Sequence, residues 1–309
     1  MSFNEISQFT VNGLTNGSFY GLMAVGFGLI LGITGRFHFA FATTFIITAY
    51  VTTGLVGDGL PLIPAIAVGL VVAVILGILI ERFVYRPLVE RTPDGALLAV
   101  FVSALGITII GENLIRLTWG SEARSLDPGF AVNKIELWGS TTTNTLNVVM
   151  IATLLILTFG IWYWMQRSRH GRAIRAVSNN PDMARIVGIN PDRTYLIVFA
   201  IGSFISGVGA IFFTMKYAAV PGSASDPTFK ALVITFLAGL GASPLRFLAA
   251  GVIVGLIESL SNIWISSTWN PVVTFGILFV YIAVVPIIAD GSYRSITRRF
   301  TKPTAAADV

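Results

Sequence analysis

The chain has 309 residues, 54% of them hydrophobic and only 11% charged, with a mean hydropathy of +0.80, so a water-soluble globule is excluded and lipid must be its solvent. Cysteine is absent and histidine occurs only as His38 and His170, which excludes disulfides and thiolate or multi-histidine metal sites. The 20 Lys and Arg against 15 Asp and Glu give +5, a surplus that membrane topology explains better than a nucleic-acid partner.

Backbone amides in a bilayer core have no water to bond, so spans must be helices or closed barrels. The apolar runs here reach the ~20 residues a helix needs and lack the short alternating pattern of a barrel. The expected fold is therefore all-α: a polytopic transmembrane helical bundle of about 8 to 10 membrane segments, forming one domain over 1–309. Residues 1–10 hold no Lys or Arg and the first apolar run continues into a full span, so no cleavable signal peptide is expected. Apolar segments follow at 11–33, 38–57, 60–84, 96–118, 147–166, 194–216, 229–243, 247–265 and 272–289. The segment at 229–243 is short and ends in Gly239 and Gly241, so it reads either as a crossing or as a re-entrant piece that returns to the same face. Glycines recur at Gly21, Gly26, Gly28 and Gly32, and at Gly251 and Gly255, a spacing that lets helices pack closely.

Basic residues near helix ends set the orientation. Arg82, Arg86 and Arg91 mark the loop at 81–95, six arginines from Arg167 to Arg193 mark the loop at 167–193, and Arg294, Arg298, Arg299 and Lys302 mark the tail at 290–309. All three are expected in the cytoplasm. The loop at 119–146, with Arg124 and Lys134 against Glu122, Asp127 and Glu136, is expected outside. The loop at 167–193 also carries a short helix with its own signals. Asn180 suits the N-cap, Pro181 the first helical position and Gly188 the stop, while Met183, Ile186 and Val187 form one apolar stripe. About two turns of helix are not stable alone in water, so this one needs a surface: a lipid headgroup layer or a groove in a partner that takes the stripe and the small Ala184.

The loop sequence GRAIRAVSNNPDMARIVGIN resembles the loop that docks on the ATPase in the LivH-type membrane subunit of branched-chain amino acid ATP-binding cassette importers. The match rests on Gly171, Arg172, Ala173, Arg175, Ala176, Asn180, Pro181, Ala184, Gly188, Ile189 and Asn190. The opening NGLTNGSFYGLMAVGFGLILGITG, the element ERFVYRPL (Glu81, Arg82, Tyr85 to Leu88) and the Pro and Gly pattern from Pro221 to Glu258 extend it over nearly the whole chain. The resemblance implies coupling to an ATPase through Arg172, Arg175, Asn180, Pro181, Ala184, Gly188, Ile189 and Asn190. It implies a homologous second permease subunit of LivM type, two ATPase subunits of LivG and LivF type, and an extracytoplasmic binding protein, in the bacterial inner membrane. The sequence departs from the family at 37–42, where Phe37, His38, Phe39, Ala40, Phe41 and Ala42 replace the family's Asn, His and Gly pattern, which opens aromatic carboxylates, amides and urea as cargo.

No GxxxxGK[ST] phosphate loop occurs, so the chain binds no ATP, and ATP with magnesium is expected on the partner ATPases. No nucleophile stands at a suitable spacing from a base, so no catalytic residue is assigned and an integral membrane enzyme ranks last. Polar groups inside spans are costly and mark candidates. Glu112 and Arg116, four apart, could pair on one helix face. His38 reads first as a packing residue and second as part of a path. Candidates for lining a translocation path are Ser18, Tyr20, His38, Phe41, Thr44, Ser103, Thr108, Glu112, Asn113 and Glu258. The rival class is a secondary transporter or channel in which Glu112 and Glu258 bind protons or sodium.

Overall fold

The computed structural model describes residues 3–92, 95–138 and 141–289; the basic stretch expected at 290–309 lies outside the described residues. Twelve α-helices run in chain order: α1 Phe3–Thr34, α2 Phe41–Gly57, α3 Leu62–Ile80, α4 Arg86–Arg91, α5 Ala96–Trp119, α6 Thr145–Arg167, α7 Arg169–Asn179, α8 Pro181–Ile186, α9 Pro191–Lys216, α10 Ser225–Ala238, α11 Pro244–Ser261 and α12 Asn270–Ala289. A single π-turn, Glu81–Tyr85, joins α3 to α4 without a break. Among the described residues seven helices are long and apolar enough to cross a membrane, with α2 a shorter apolar helix of 17 residues, as a polytopic bundle requires.

The bundle is built around α1. In its apolar stretch 78% of residues are buried, against 6% for α12, so α1 is the axis and α12 the periphery. Helices α6, α9, α10 and α11 surround it. Lipid tails are as apolar as leucine, so the hydrophobic effect does not hold these helices together; close packing does. The tightest seam lies between α1 and α11. A Cβ at Gly251 would collide with the backbone of Gly21 and Gly17, and one at Gly255 with that of Gly17 and Gly13. The glycine spacing thus does what the sequence led us to expect. On the outer faces of α3, the π-turn, α5 and α6, Ile63, Phe83, Leu98, Leu117, Ile156 and Phe159 are exposed, a surface suited to lipid or to another membrane subunit.

Between α1 and α2 the chain unwinds over residues 35–40, yet His38, Phe39 and Ala40 are buried. Irregular backbone at membrane depth survives only where protein satisfies it. Thr108 of α5 donates to the Phe39 carbonyl at 3.1 Å, and Ser206 of α9 and Thr44 donate to that of Phe41 at 3.1 and 2.8 Å. The 37–42 tract is therefore a packed junction.

One reading left open and two features the sequence did not show are decided by the structure. The segment read at 229–243 as crossing or re-entrant contains α10, 14 residues and so too short to span alone, but its flanks reach opposite ends of the bundle. Ala219, before it, pairs with Arg124 of the 119–146 loop through N–H···O bonds of 2.9 and 2.8 Å, whereas Gly241, after it, lies against Gly32 at the far end of α1. The 119–146 loop contains an antiparallel hairpin, β1 Lys134–Trp138 and β2 Thr141–Asn144. Gln8 clips this hairpin to α1 by donating to the Thr142 carbonyl and accepting from its N–H at 2.9 and 2.8 Å. The 167–193 loop holds two helices, because α7 precedes the anticipated one.

Candidate functional site

The face bearing α7 and α8 forms a ledge. Ser168 caps α7 by accepting the Gly171 N–H at 2.8 Å, Ile174 anchors it in a cluster with Ile30, Phe39 and Ile80, and Val177 is buried as well. Asn180 caps α8 by accepting the N–H groups of Asp182 and Met183, both at 3.0 Å. At the far end Gly188 adopts φ +83°, and the Ile189 N–H donates to the Ala184 carbonyl at 2.9 Å, closing the helix as the sequence indicated. Met183, Ile186 and Val187 are 60%, 77% and 72% exposed, so the apolar stripe of α8 has no covering partner among the described residues.

The other residues assigned to this surface divide by role. Ala184 is buried against the bundle and does not accompany the stripe, which corrects its expected insertion into a partner. Arg175 donates to the Met165 carbonyl and Arg172 to that of Arg167, at 3.3 Å for the latter, so both cap the end of α6. Asn190 caps α9 by accepting from Arg193 N–H at 3.2 Å, and Pro181 and Pro191 open α8 and α9. Beside the ledge the Arg86 guanidinium reaches Asp192 and Glu90, both at 2.9 Å, tying α4 to α9, and the buried Arg36–Glu81 pair ties the α1–α2 junction to the π-turn, with Arg36 also 5.1 Å over the Tyr195 ring. Between α4 and α8 lies a cleft of about 460 Å³ lined by Arg36, Arg86, Glu90, Asp182 and Arg185. Asn180→Ala should cost α8 about 1 kcal/mol, seen as faster tryptic cleavage at Arg185 with the rest of the chain unaffected.

The second polar concentration lies at membrane depth. Lys230 of α10 donates to Glu258 of α11 and to the Tyr20 hydroxyl of α1, both at 2.9 Å, and reaches Asp226 at 3.2 Å. Tyr20 in turn donates to Glu258 at 3.3 Å, and Thr274 of α12 donates to the other Glu258 oxygen at 3.3 Å. Four helices are thus tied at one point. Sequence reading had chosen Tyr20 and Glu258 but missed Lys230; its signal was a lysine within an apolar run, one turn after Asp226.

Beside this cluster, a cavity of about 270 Å³ opens between α1, α6, α9 and α10. It contains Tyr20, but not Ser18, which bonds back to Leu14 at 2.7 Å. His38 and Phe41 are fully buried. His38 Nδ1 meets the Tyr85 hydroxyl at 3.0 Å, and Phe41 packs edge-on against Phe27. The structure thus puts both in the core, away from this cavity. Thr44 and Thr108 satisfy the junction carbonyls described above, and Ser103 bonds its own helix at Val100, 2.9 Å away. Glu112 makes no ion pair with Arg116, contrary to the anticipated clamp; its carboxylate instead lies near Gly222 in the turn before α10. Asn113 is exposed and bonds back to Ile109 at 2.8 Å.

The family described as branched-chain amino acid transport system, permease component, matches residues 9–283. The chain belongs to this family. BraD of Pseudomonas aeruginosa, a high-affinity branched-chain amino acid transport system permease protein, is 30% identical over 293 residues, covering 90% of this chain and 94% of that protein. LivH of Escherichia coli K12, of the same description, is 31% identical over 289 residues, covering 89% and 92%. The probable LivH of Methanocaldococcus jannaschii is 25% identical over 260 residues, covering 81% and 79%. No solved structure matches the chain significantly. The permease is a multi-pass plasma-membrane transport subunit, not an enzyme, and its family works with partner ATPase and binding proteins.

Proposed function

We propose that this permease and a homologous LivM-type subunit together form the membrane path of an ATP-binding cassette importer for branched-chain amino acids. An extracytoplasmic binding protein delivers the cargo. LivG-type and LivF-type ATPases, holding ATP and magnesium, dock on the α7–α8 face, which the arginine distribution assigns to the cytoplasm. The observation that carries this reading is the stripe of Met183, Ile186 and Val187: three large apolar side chains on a rigid, doubly capped helix, turned away from their own protein. A helix presenting an apolar face fits a groove in a partner. Against the ion-coupled alternative, Glu258 is occupied by Lys230, Tyr20 and Thr274.

The test is Ile186→Asp in the full complex. Ile186 is exposed, so its replacement should change the permease's own stability by within about 0.5 kcal/mol. It should weaken ATPase capture by about tenfold or more, the equivalent of one lost apolar anchor. ATP-driven leucine uptake in vesicles should fall in parallel. Undiminished capture and uptake would remove α8 as the docking element. Gly188 and Ala184 are poorer probes, because φ +83° strains any side chain at the former and the latter is buried.

A further inference from the structure

We propose that the cavity between α1, α6, α9 and α10 is a binding subsite for a zwitterionic amino acid with an apolar side chain, the carboxylate held by Lys216 and the ammonium by Asp226. This rests on the importer reading above and assigns the cargo a place in this subunit.

The cavity has three kinds of wall. On one side Lys216 Nζ donates to the Asn16 side-chain oxygen at 2.8 Å, and the Tyr217 hydroxyl reaches that same oxygen at 3.5 Å. Among the described residues Lys216 has no carboxylate partner, whereas Lys230 has two. An ammonium beside a mainly apolar cavity, held only by a neutral acceptor and, at 5.1 Å, by the Tyr217 ring, is an attractive seat for an anion, because each charge taken from water there needs an opposite one. Asp226 lines the same cavity, its side chain 55% exposed and bonded through one oxygen to Lys230. That leaves acceptor capacity for a donor such as an ammonium. The remaining wall is apolar, made by Phe19, Phe213 and Met150.

A lone cation would select any anion, and a lone carboxylate any cation. One of each beside an apolar patch selects a molecule carrying both charges and an apolar branch. At about 270 Å³ the cavity is slightly smaller than the ~300–1,000 Å³ typical of drug-sized ligands, which suits a single amino acid. Its position also links occupancy to the bundle. Asp226 shares Lys230 with Glu258 and Tyr20, so an ammonium arriving at Asp226 competes with the pair inside α10 and leaves Lys230 to the contacts that tie α10 to α1 and α11.

The chain has no cysteine, so a single introduced thiol reports on this cavity. In the complete importer, Tyr217→Cys places one in the lining just after α9 and Met150→Cys a second in the lining from α6. Leucine should slow maleimide modification of each, about fourfold at three times its half-protecting concentration. Isoamylamine, which lacks the carboxylate, should not. Adding Lys216→Met should abolish protection at both reporters, each compared with its own rate without leucine because the lysine also tunes a neighbouring thiol, and Lys216→Arg should retain it. Absence of leucine protection at both reporters, or protection that survives Lys216→Met, overturns the subsite. Leucine uptake by the wild-type complex is measured alongside. Uptake without protection sinks the subsite and leaves the importer reading intact. Protection dependent on Lys216 without uptake keeps the subsite and sinks the cargo reading, and failure of both measurements sinks both.

Discussion

Lys230→Met is expected to destabilise the permease by about 3–5 kcal/mol, the cost of leaving a buried charge without its counter-ion. Lys230 and Glu258 have side chains only 7% and 6% exposed, so neither can turn to water when its partner is lost. Glu258→Gln is expected to be less damaging. Glutamine keeps one oxygen, which can accept from Lys230 and Tyr20 on one side or from Thr274 on the other, and Lys230 retains Asp226 as a carboxylate partner. The double variant Lys230→Met/Glu258→Gln should be more stable than Lys230→Met, since it removes the orphaned carboxylate along with its partner. Thermal inactivation in detergent, followed by loss of the monodisperse peak, gives the three values. Strict additivity of the two single effects would show that the ion pair does not hold α10 to α11.

The second large effect is expected at the seam between α1 and α11. Gly251→Leu puts a branched side chain where even a Cβ meets the backbone of Gly17 and Gly21, and backbone cannot swing aside as a flexible side chain can. Overpacking of a core typically costs about 1–3 kcal/mol, and this site lies at the upper end or beyond, because relief requires separating two whole helices. Gly255→Leu should behave alike. Gly276→Ala of α12 is the control: nothing lies within 4 Å of its added Cβ, so it should be neutral or slightly favourable through helix propensity. Membrane insertion and thermal stability of the three variants, compared side by side, decide the matter. Tolerance of leucine at both seam positions would mean that α1 and α11 are not in backbone contact.

What the sequence revealed and what it hid follow from the range of each interaction. Helices α1, α3, α5, α6, α9, α11 and α12 were legible because each carries a long apolar run, a property read locally. The caps of α8 were legible for the same reason, since Asn180 and Gly188 act on backbone within a few residues. Helix α7 was missed because its sequence, RHGRAIRAVSN, is polar and arginine-rich, and only the spacing of Ile174 and Val177 betrays a buried stripe. The expected Glu112–Arg116 clamp failed because spacing of four residues permits a pair but does not compel one. Tertiary partners stayed hidden: nothing in the order of residues says that Lys230 meets Tyr20 and Glu258, 210 and 28 positions away. The same holds for Phe41, whose aromatic character suggested a path lining and whose neighbours make it core.

The unbroken passage from α3 through the π-turn into α4 has a geometric consequence. Residues Leu62–Arg91 form 30 residues of near-continuous helix, which at 1.5 Å per residue is ~45 Å, some ~15 Å more than a hydrocarbon core is thick. The surplus emerges on the face that carries α8, where Arg86 grips Asp192. The rod therefore acts as a post that carries α4 clear of the hydrocarbon core, joined through Arg86 to the start of α9. A partner docking on the α8 face, as proposed above, would meet this post without displacing lipid.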